Sequence, residues 1–480
     1  MRNSLVAMTV ATIPIVFFSA CNGSSSGGAG VAPLPNAPAA ASRDHVRPND
    51  TGPKDLHAGG ADFPGYAYSL GDQPVGTYQD VQPTPGPGSV FALAGTKGIV
   101  YYCNNSSGYG RKEFEANNGT ATTACAPYGQ TATGFGGRQD PLDFVGTDVA
   151  LPSTECCVSG TPYYLGRLTG SKTWGQPFEL PTLGGPIVFP YNASSFSGIG
   201  SGASLQLSTW SYCAISNGTI SDWNDPAITA DNGGKSVTGG NSETVDFYFR
   251  SDSSGATDLF TNKLNTSCNV TWKGKYAKAP YQGGTRNAAW TFGVNMLWPG
   301  PGSSSDPNPR FFGENGDPGI LSGIQTDSWG TGYAVGAWAK AAGIAQASLL
   351  DTSNAVFVSP TNQTAVANAL KNAKTITFGE GSDGLSLGSS TPWCQLYINP
   401  SEFVKPPAKA YPIVGITYWL FYGNNNGIHL ADKKKLIKYI TSTAPNGYLP
   451  ALEYTPFTSS VHAAVRKALG GTATQATCVK

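Results

Sequence analysis

Three short stretches of this chain join pliable backbone to groups that can hold an anion. The densest is Arg250-Ser251-Asp252-Ser253-Ser254-Gly255-Ala256-Thr257. It follows Val245 to Phe249, whose alternation reads as a strand, and it leads into Thr257 to Leu264, which reads as a helix. Arg250 offers a planar guanidinium fork that matches two oxygens of an oxyanion. Ser254 and the N–H groups of Gly255 and Ala256 stand at a helix start, where the backbone favours negative charge. Asp252 can hold the guanidinium in place. The bland alternative is a surface Arg–Asp pair beside an N-cap serine. The second stretch, Asn105-Ser106-Ser107-Gly108-Tyr109-Gly110, offers hydroxyls and close backbone approach, and on its own is more often a structural turn. The third, Asp143-Phe144-Val145-Gly146-Thr147-Asp148, is an apolar strand that delivers a carboxylate at its end. Taken alone, that carboxylate reads as a cap on the next element.

Other chemistries find little support. The four histidines, His45, His57, His429 and His462, fall in no metal-ligand or triad pattern. There is no GxxxxGK[ST] loop and no GxSxG elbow. No enzyme activity and no cofactor are expected. Lys+Arg and Asp+Glu are equal at 30 each, without a basic stripe, so nucleic acid is not an expected partner. Anion recognition must then come from local groups rather than from a global field.

The elements that position these loops occupy a chain of 480 residues, long enough for two or more domains. Residues 1–21 read as an export signal: Arg2, then the apolar run Leu5 to Ala20, then Cys21. Phe18-Ser19-Ala20-Cys21 resembles a lipobox, with Phe18 where Leu is usual, so Cys21 is the expected site of lipid attachment. Residues 22–54 are rich in Gly, Ser, Ala and Pro and read as a flexible tether. The other eight of the 9 cysteines suit an exported protein with up to about four disulfides. Beyond the tether, strand-like and helix-like runs alternate, which argues an α/β fold with mainly parallel sheets. Gly98 to Cys103, Pro186 to Pro190 and Tyr411 to Tyr422 read as strands. Arg111 to Ala116, Gly332 to Ala342, Leu430 to Thr441 and Ser460 to Leu469 read as helices. Three Gly/Pro-rich, aperiodic stretches, 158–185, 270–325 and 380–408, read as surface insertions.

Taken in order, these segments resemble the PstS-type phosphate-binding proteins and their DING relatives. The resemblance runs from about residue 55 to the C-terminus. It is carried by Ala58-Gly-Gly-Ala-Asp-Phe-Pro64, Ser107-Gly-Tyr-Gly110, Asp143-Phe-Val-Gly-Thr-Asp148, Gly218-Thr-Ile-Ser-Asp-Trp-Asn-Asp-Pro226, Arg250-Ser-Asp-Ser-Ser-Gly255 and Tyr411-Pro-Ile-Val-Gly-Ile-Thr-Tyr418. It implies a type II periplasmic-binding-protein fold, two α/β lobes with a ligand cleft between them. Lobe one would hold 55–188 and 411–480, and lobe two 189–410. The resemblance implies phosphate-binding roles for Asp62, Phe63, Ser107, Asp148, Arg250, Ser254, Gly255 and Ala256, with Asp148 accepting the proton of hydrogen phosphate. It further implies a Cys213–Cys268 disulfide and a bonded Cys478, for which Cys394 is the substitute partner. The expected function is capture of inorganic phosphate for the permease of an ABC importer, from the extracytoplasmic side of the membrane, with the lipid anchor as the sole membrane contact. Two departures stand out: Asp62 and Ala256 each occupy a position where the family carries Thr. They leave three readings open: Asp62 turns away, the site prefers a more protonated phosphate, or another ligand binds on the same fold. An extracellular phosphatase or adhesion lipoprotein is a further alternative.

Overall fold

The structure is a computed structural model; it describes residues 55–72, 84–116, 142–152, 168–169, 172–173, 177–269, 288–353, 355–373, 376–378, 394–470 and 477–480. The signal segment, Cys21 and the tether lie outside these residues, as do much of the first and third aperiodic stretches and the start of the second.

Sixteen elements frame the site. In chain order they are β1 (Leu56–Gly60), β2 (Val100–Asn104), α1 (Ser107–Ala116), β3 (Phe144–Thr147), β4 (Pro177–Val188) and β5 (Pro190–Tyr191). There follow β6 (Asp246–Arg250), α2 (Gly255–Ser267), β7 (Phe311–Glu314), α3 (Gly316–Thr326), β8 (Gly330–Gly332) and β9 (Ala334–Val335). The last are α4 (Gly336–Ala341), β10 (Ala345–Gln346), β11 (Val414–Tyr422) and β12 (Thr455–Pro456).

Two mixed sheets result. The first runs β9-β4-β11-β3-β1-β2, with β12 also paired to β4. The second runs β7-β6-β8-β5-β10. Each sheet is parallel only where it carries site residues: β2, β1 and β3 in the first, and β7, β6 and β8 in the second. The remaining pairings are antiparallel, so the sheets are less parallel than the alternation of runs suggests. This is the type II periplasmic-binding-protein fold. The chain passes from first sheet to second between β4 and β5 and returns between β8 and β9. It passes again across α4 to β10, then back to β11.

Burial explains the strands. All nine residues of β11 (Val-Gly-Ile-Thr-Tyr-Trp-Leu-Phe-Tyr) are buried, which gives the continuous apolar run of a strand covered on both faces. β4 is also buried throughout its twelve residues, although it contains Pro181 and Pro186. Its pairing with β11 slips beside Pro181: Tyr418 faces Pro181 and Thr417 faces Leu183, leaving Thr182 bulged. The bulged Thr182 hydroxyl donates to the Thr417 carbonyl at 3.0 Å and so replaces a lost ladder contact.

The second aperiodic stretch contains regular structure. β7 pairs in parallel with β6, and α3 packs against β6 and β8. Residues 311–326 therefore belong to the second sheet and its covering layer.

Candidate functional site

The predicted residues sit where parallel strands end. β1 stops at Gly60, which has φ +122; a Cβ there would lie 2.2 Å from the Gly146 carbonyl oxygen of β3. Only glycine allows β1 to turn so close to β3. Past that turn come Asp62 and Phe63, whose carbonyls are fixed by Trp338 Nε1 (2.8 Å) and Tyr454 Oη (2.6 Å). Ser107 begins α1. Its Oγ accepts from the Asp148 N–H (3.0 Å) and donates to Asp148 Oδ2 (3.1 Å). Arg250 ends β6, and Gly255 and Ala256 begin α2.

These residues converge from both sheets. The Gly108 N–H donates to the Ser253 carbonyl at 3.0 Å. A Cβ placed on Gly255 would lie 2.4 Å from Ser107 Oγ and 2.6 Å from Asp148 Cβ. Gly255 is therefore required by close approach, not merely by the helix start. Being the first two residues of α2, Gly255 and Ala256 carry N–H groups with no intrahelical acceptor. The Ser254 N–H donates instead to the Met296 carbonyl at 2.9 Å. Ser254 is the N-cap residue, yet its hydroxyl does not cap the helix, and its buried Oγ has no hydrogen-bond partner among the described residues.

Arg250 departs most from the bland alternative. It is 1% exposed, so its pairing with Asp252 is no surface ion pair. Nε donates to Asp252 Oδ1 at 2.7 Å and Nη2 to Asp252 Oδ2 at 2.5 Å. Nη2 also reaches the Asn105 carbonyl at 3.5 Å. Nη1 donates to Asp317 Oδ2 at 3.1 Å and lies 2.8 Å from Asp62 Oδ2. Every nitrogen of the guanidinium thus faces an oxygen of the protein itself. Asp62 does not turn away from Arg250 but bonds to it, and its Oδ2 also accepts from the Asp317 N–H at 3.3 Å.

Asp317 was missed from sequence. It is the second residue of α3, held by the Val335 N–H, which donates to Oδ1 at 2.8 Å. An acidic residue just before Pro318, with Ile320, Leu321 and Ile324 to follow, is a helix-start signal. The glycines at 313, 316, 319 and 323 obscured it.

Burial dominates the charges here. It raises Asp62 above the usual carboxylate range, against the pull of Arg250. It raises Asp317 further, with Asp62 adding to the push. Asp148, also buried, is pushed up to about 8, so it keeps its proton at neutral pH. Desolvation works against the charge on Arg250, but Asp252 and Asp62 outweigh it and hold the guanidinium charged. The site can therefore supply hydroxyls, helix-start N–H groups, one guanidinium and, in Asp148, a carboxyl that carries a proton. Among the described residues no group of three or more His, Cys, Asp or Glu is arranged to hold a metal ion.

Both implied disulfides on described cysteines are formed: Cys213–Cys268 and Cys394–Cys478. The first ties the helix Thr209–Ser216 to the far end of α2.

A family model described as a PBP superfamily domain matches residues 100–443. The chain is 34% identical over 201 residues to phosphate-binding protein PstS 3 of Mycobacterium tuberculosis (strain ATCC 25618 / H37Rv), covering 42% of this chain and 43% of that protein. It is 30% identical over 296 residues to phosphate-binding protein PstS 2 of the same strain, covering 61% of this chain and 64% of that one. The matched region thus spans less than two thirds of either relative. Among solved structures, a high-affinity periplasmic phosphate-binding protein (PfluDING) bound with phosphate superposes with a TM-score of 0.61 at 21% identity, over 88% of this chain and 95% of that one. At that identity the likeness speaks to the fold.

Proposed function

The chain belongs to the PBP superfamily, and from that premise we propose that it is an extracytoplasmic solute-binding protein that captures inorganic phosphate for the permease of an ABC importer. The observation that carries this reading is the meeting of Ser107, Asp148, Arg250, Ser254 and Gly255, drawn from two sheets to one point at the ends of parallel strands. Ligands of open α/β sheets bind at such ends.

The roles follow from the donors available. Ser107 and Ser254 offer hydroxyls. Gly255, Ala256 and Phe63 offer N–H groups, Arg250 the positive charge and Asp148 a carboxyl that exchanges one proton with the ligand. We place the site between lobes 55–188 with 411–480 and 189–410, which close over the ligand as hinged lobes do. No catalytic step is needed. Cys21 is the proposed lipid anchor, and replacing it with Ser should release the protein from membranes or leave an unprocessed precursor; a Cys21→Ser form that stays membrane-bound and is processed normally removes the anchor.

Calorimetric titration of the full-length protein with phosphate, sulfate and arsenate tests the reading, with phosphate expected to bind and sulfate to be rejected near pH 9. Arg250→Lys keeps the charge but loses the planar fork, and should weaken phosphate by roughly 1.5–3 kcal/mol. No phosphate binding by any form of the protein ends this reading. Turnover of a phosphomonoester would replace it with the phosphatase alternative.

A further inference from the structure

Three carboxylates crowd one guanidinium. Asp252 already grips Arg250 through two nitrogens, which is all that is needed to hold the fork in place. Asp62 and Asp317 add two more carboxylates, both on Nη1 at 2.8 and 3.1 Å. They exceed the charge they neutralise, and like charges buried together resist ionising. A structural role for Arg250 explains Asp252 and leaves this excess unexplained. A ligand anion that needs Arg250 finds its nitrogens taken.

Resting on the phosphate reading, we propose that the Asp62 carboxylate is the protein's own occupant of the anion seat on Arg250, and that phosphate binds by displacing it while the site takes up a proton.

The surroundings fit such an exchange. The Asp62 backbone is pinned by Trp338 through its carbonyl, so only the side chain needs to swing. Its Oδ2 lies between Arg250 Nη1 and the Asp317 N–H at the start of α3, both of which suit an anion. Six titratable groups bear on it: Arg250 and Asp252 at the end of β6, Asp317 on α3, Asp148 after β3, Tyr102 on β2, and Tyr454. Five of the six are acids, so a displaced carboxylate beside bound phosphate has no second cation to meet among them. Neutralisation by a proton is the remaining route. Burial already holds Asp62 and Asp317 above the usual carboxylate range. Phosphate should then bind more tightly as pH falls.

Two substitutions separate this exchange from a purely structural role, because they move affinity in opposite directions. Asp62→Asn keeps the shape but removes the competing anion; phosphate should bind about tenfold more tightly or better at pH 8, with less proton uptake than the native chain. Asp317→Asn keeps the oxygen that accepts from Val335 and removes the like charge that discourages Asp62 from ionising. Asp62 then holds Arg250 more firmly, phosphate weakens, and proton uptake rises. Calorimetry of the full-length chain in buffers of differing ionisation enthalpy reads both quantities, and thermal melts confirm folding; Asp62→Thr serves if Asp62→Asn fails to fold. Native protein and Asp62 variants with equal affinity and equal proton uptake would overturn the exchange while leaving phosphate binding intact. Loss of affinity in both the Asp62 and the Asp317 variants would also overturn it, and would make the carboxylates structural. Phosphate binding by none of the three overturns the phosphate reading and this inference together. Binding by an Asp62 variant alone supports both.

Discussion

Asp148 shows how burial changes what a single carboxyl can select. An ionised carboxylate accepts a proton from hydrogen phosphate and can only repel sulfate. In this structure burial lifts Asp148 to about 8, so at neutral pH it carries a proton and can donate to a proton-free anion as well. The sequence expectation of an ionised acceptor therefore applies only above that value. The sign follows: as pH rises through about 8, Asp148 loses its proton and sulfate loses its donor. Sulfate inhibition of phosphate binding should fall away between pH 7 and 9. Asp148→Asn, which cannot ionise, should abolish that trend. Competition titrations at pH 7, 8 and 9 decide it: an identical native trend and mutant trend would take Asp148 out of selectivity. Most of the residues that the structure gathers at these strand ends were legible because each lay in a motif with its own chemistry. What Asp62 does was not legible, since its partner Asp317 lies 255 residues away and only the fold brings them together.

Among the elements, long apolar strands were read well and glycine-broken ones poorly. Tyr411 to Tyr422 declared β11 because every one of its strand positions is buried. β4 was cut short at Pro186, because Pro181, Gly184, Gly185 and Pro186 look like a loop until a bulge accommodates them. Helix α1 was expected to open at Arg111 but begins at Ser107, so its glycines at 108 and 110 lie in its first turn. Gly332 to Ala342 was expected to be one helix and is instead two short strands and α4, since the chain changes sheets there. The 270–325 stretch hid β7 and α3 for a related reason. The helix lies so close to β6 that a Cβ on Gly323 would sit 2.3 Å from the Tyr248 ring, so packing demanded the small residues that masked its periodicity. One element-scale consequence concerns α2. Its N-terminus lies at the candidate site, and its C-cap, Cys268, is bonded to Cys213 across a separation of 55 residues. Removing both cysteines as Cys213→Ala with Cys268→Ala should cost roughly 2–4 kcal/mol of stability. The 13 residues of α2, from Gly255 to Ser267, set the bond about 20 Å along the helix from Gly255, so phosphate affinity should hold. Denaturant unfolding beside a phosphate titration checks this; an unchanged midpoint would mean that packing alone fixes α2.

At the scale of the whole molecule, two of the passages between the sheets are single residues, Phe189 and Tyr333, and a third runs through α4. α4 follows β9 of the first sheet and leads to β10 of the second. It also carries Trp338, whose indole N–H is bonded to the Asp62 carbonyl and whose ring meets Tyr66 edge-on at 4.9 Å. Trp338 is 2% exposed, so bulk solvent leaves its emission undisturbed. A charge that moves nearby does disturb it, because the excited indole has a different dipole from the ground state. Trp338 is thus a built-in optical probe of the anion seat, coloured by whichever negative group occupies it. Phosphate should shift the intrinsic fluorescence of the native protein, and Trp338→Phe should remove that shift although the other nine of the 10 tryptophans remain. A phosphate-dependent spectrum that survives Trp338→Phe would place the responding indole elsewhere. With the native signal in hand, the exchange of one anion for another could be timed in a stopped-flow cell without attaching any dye.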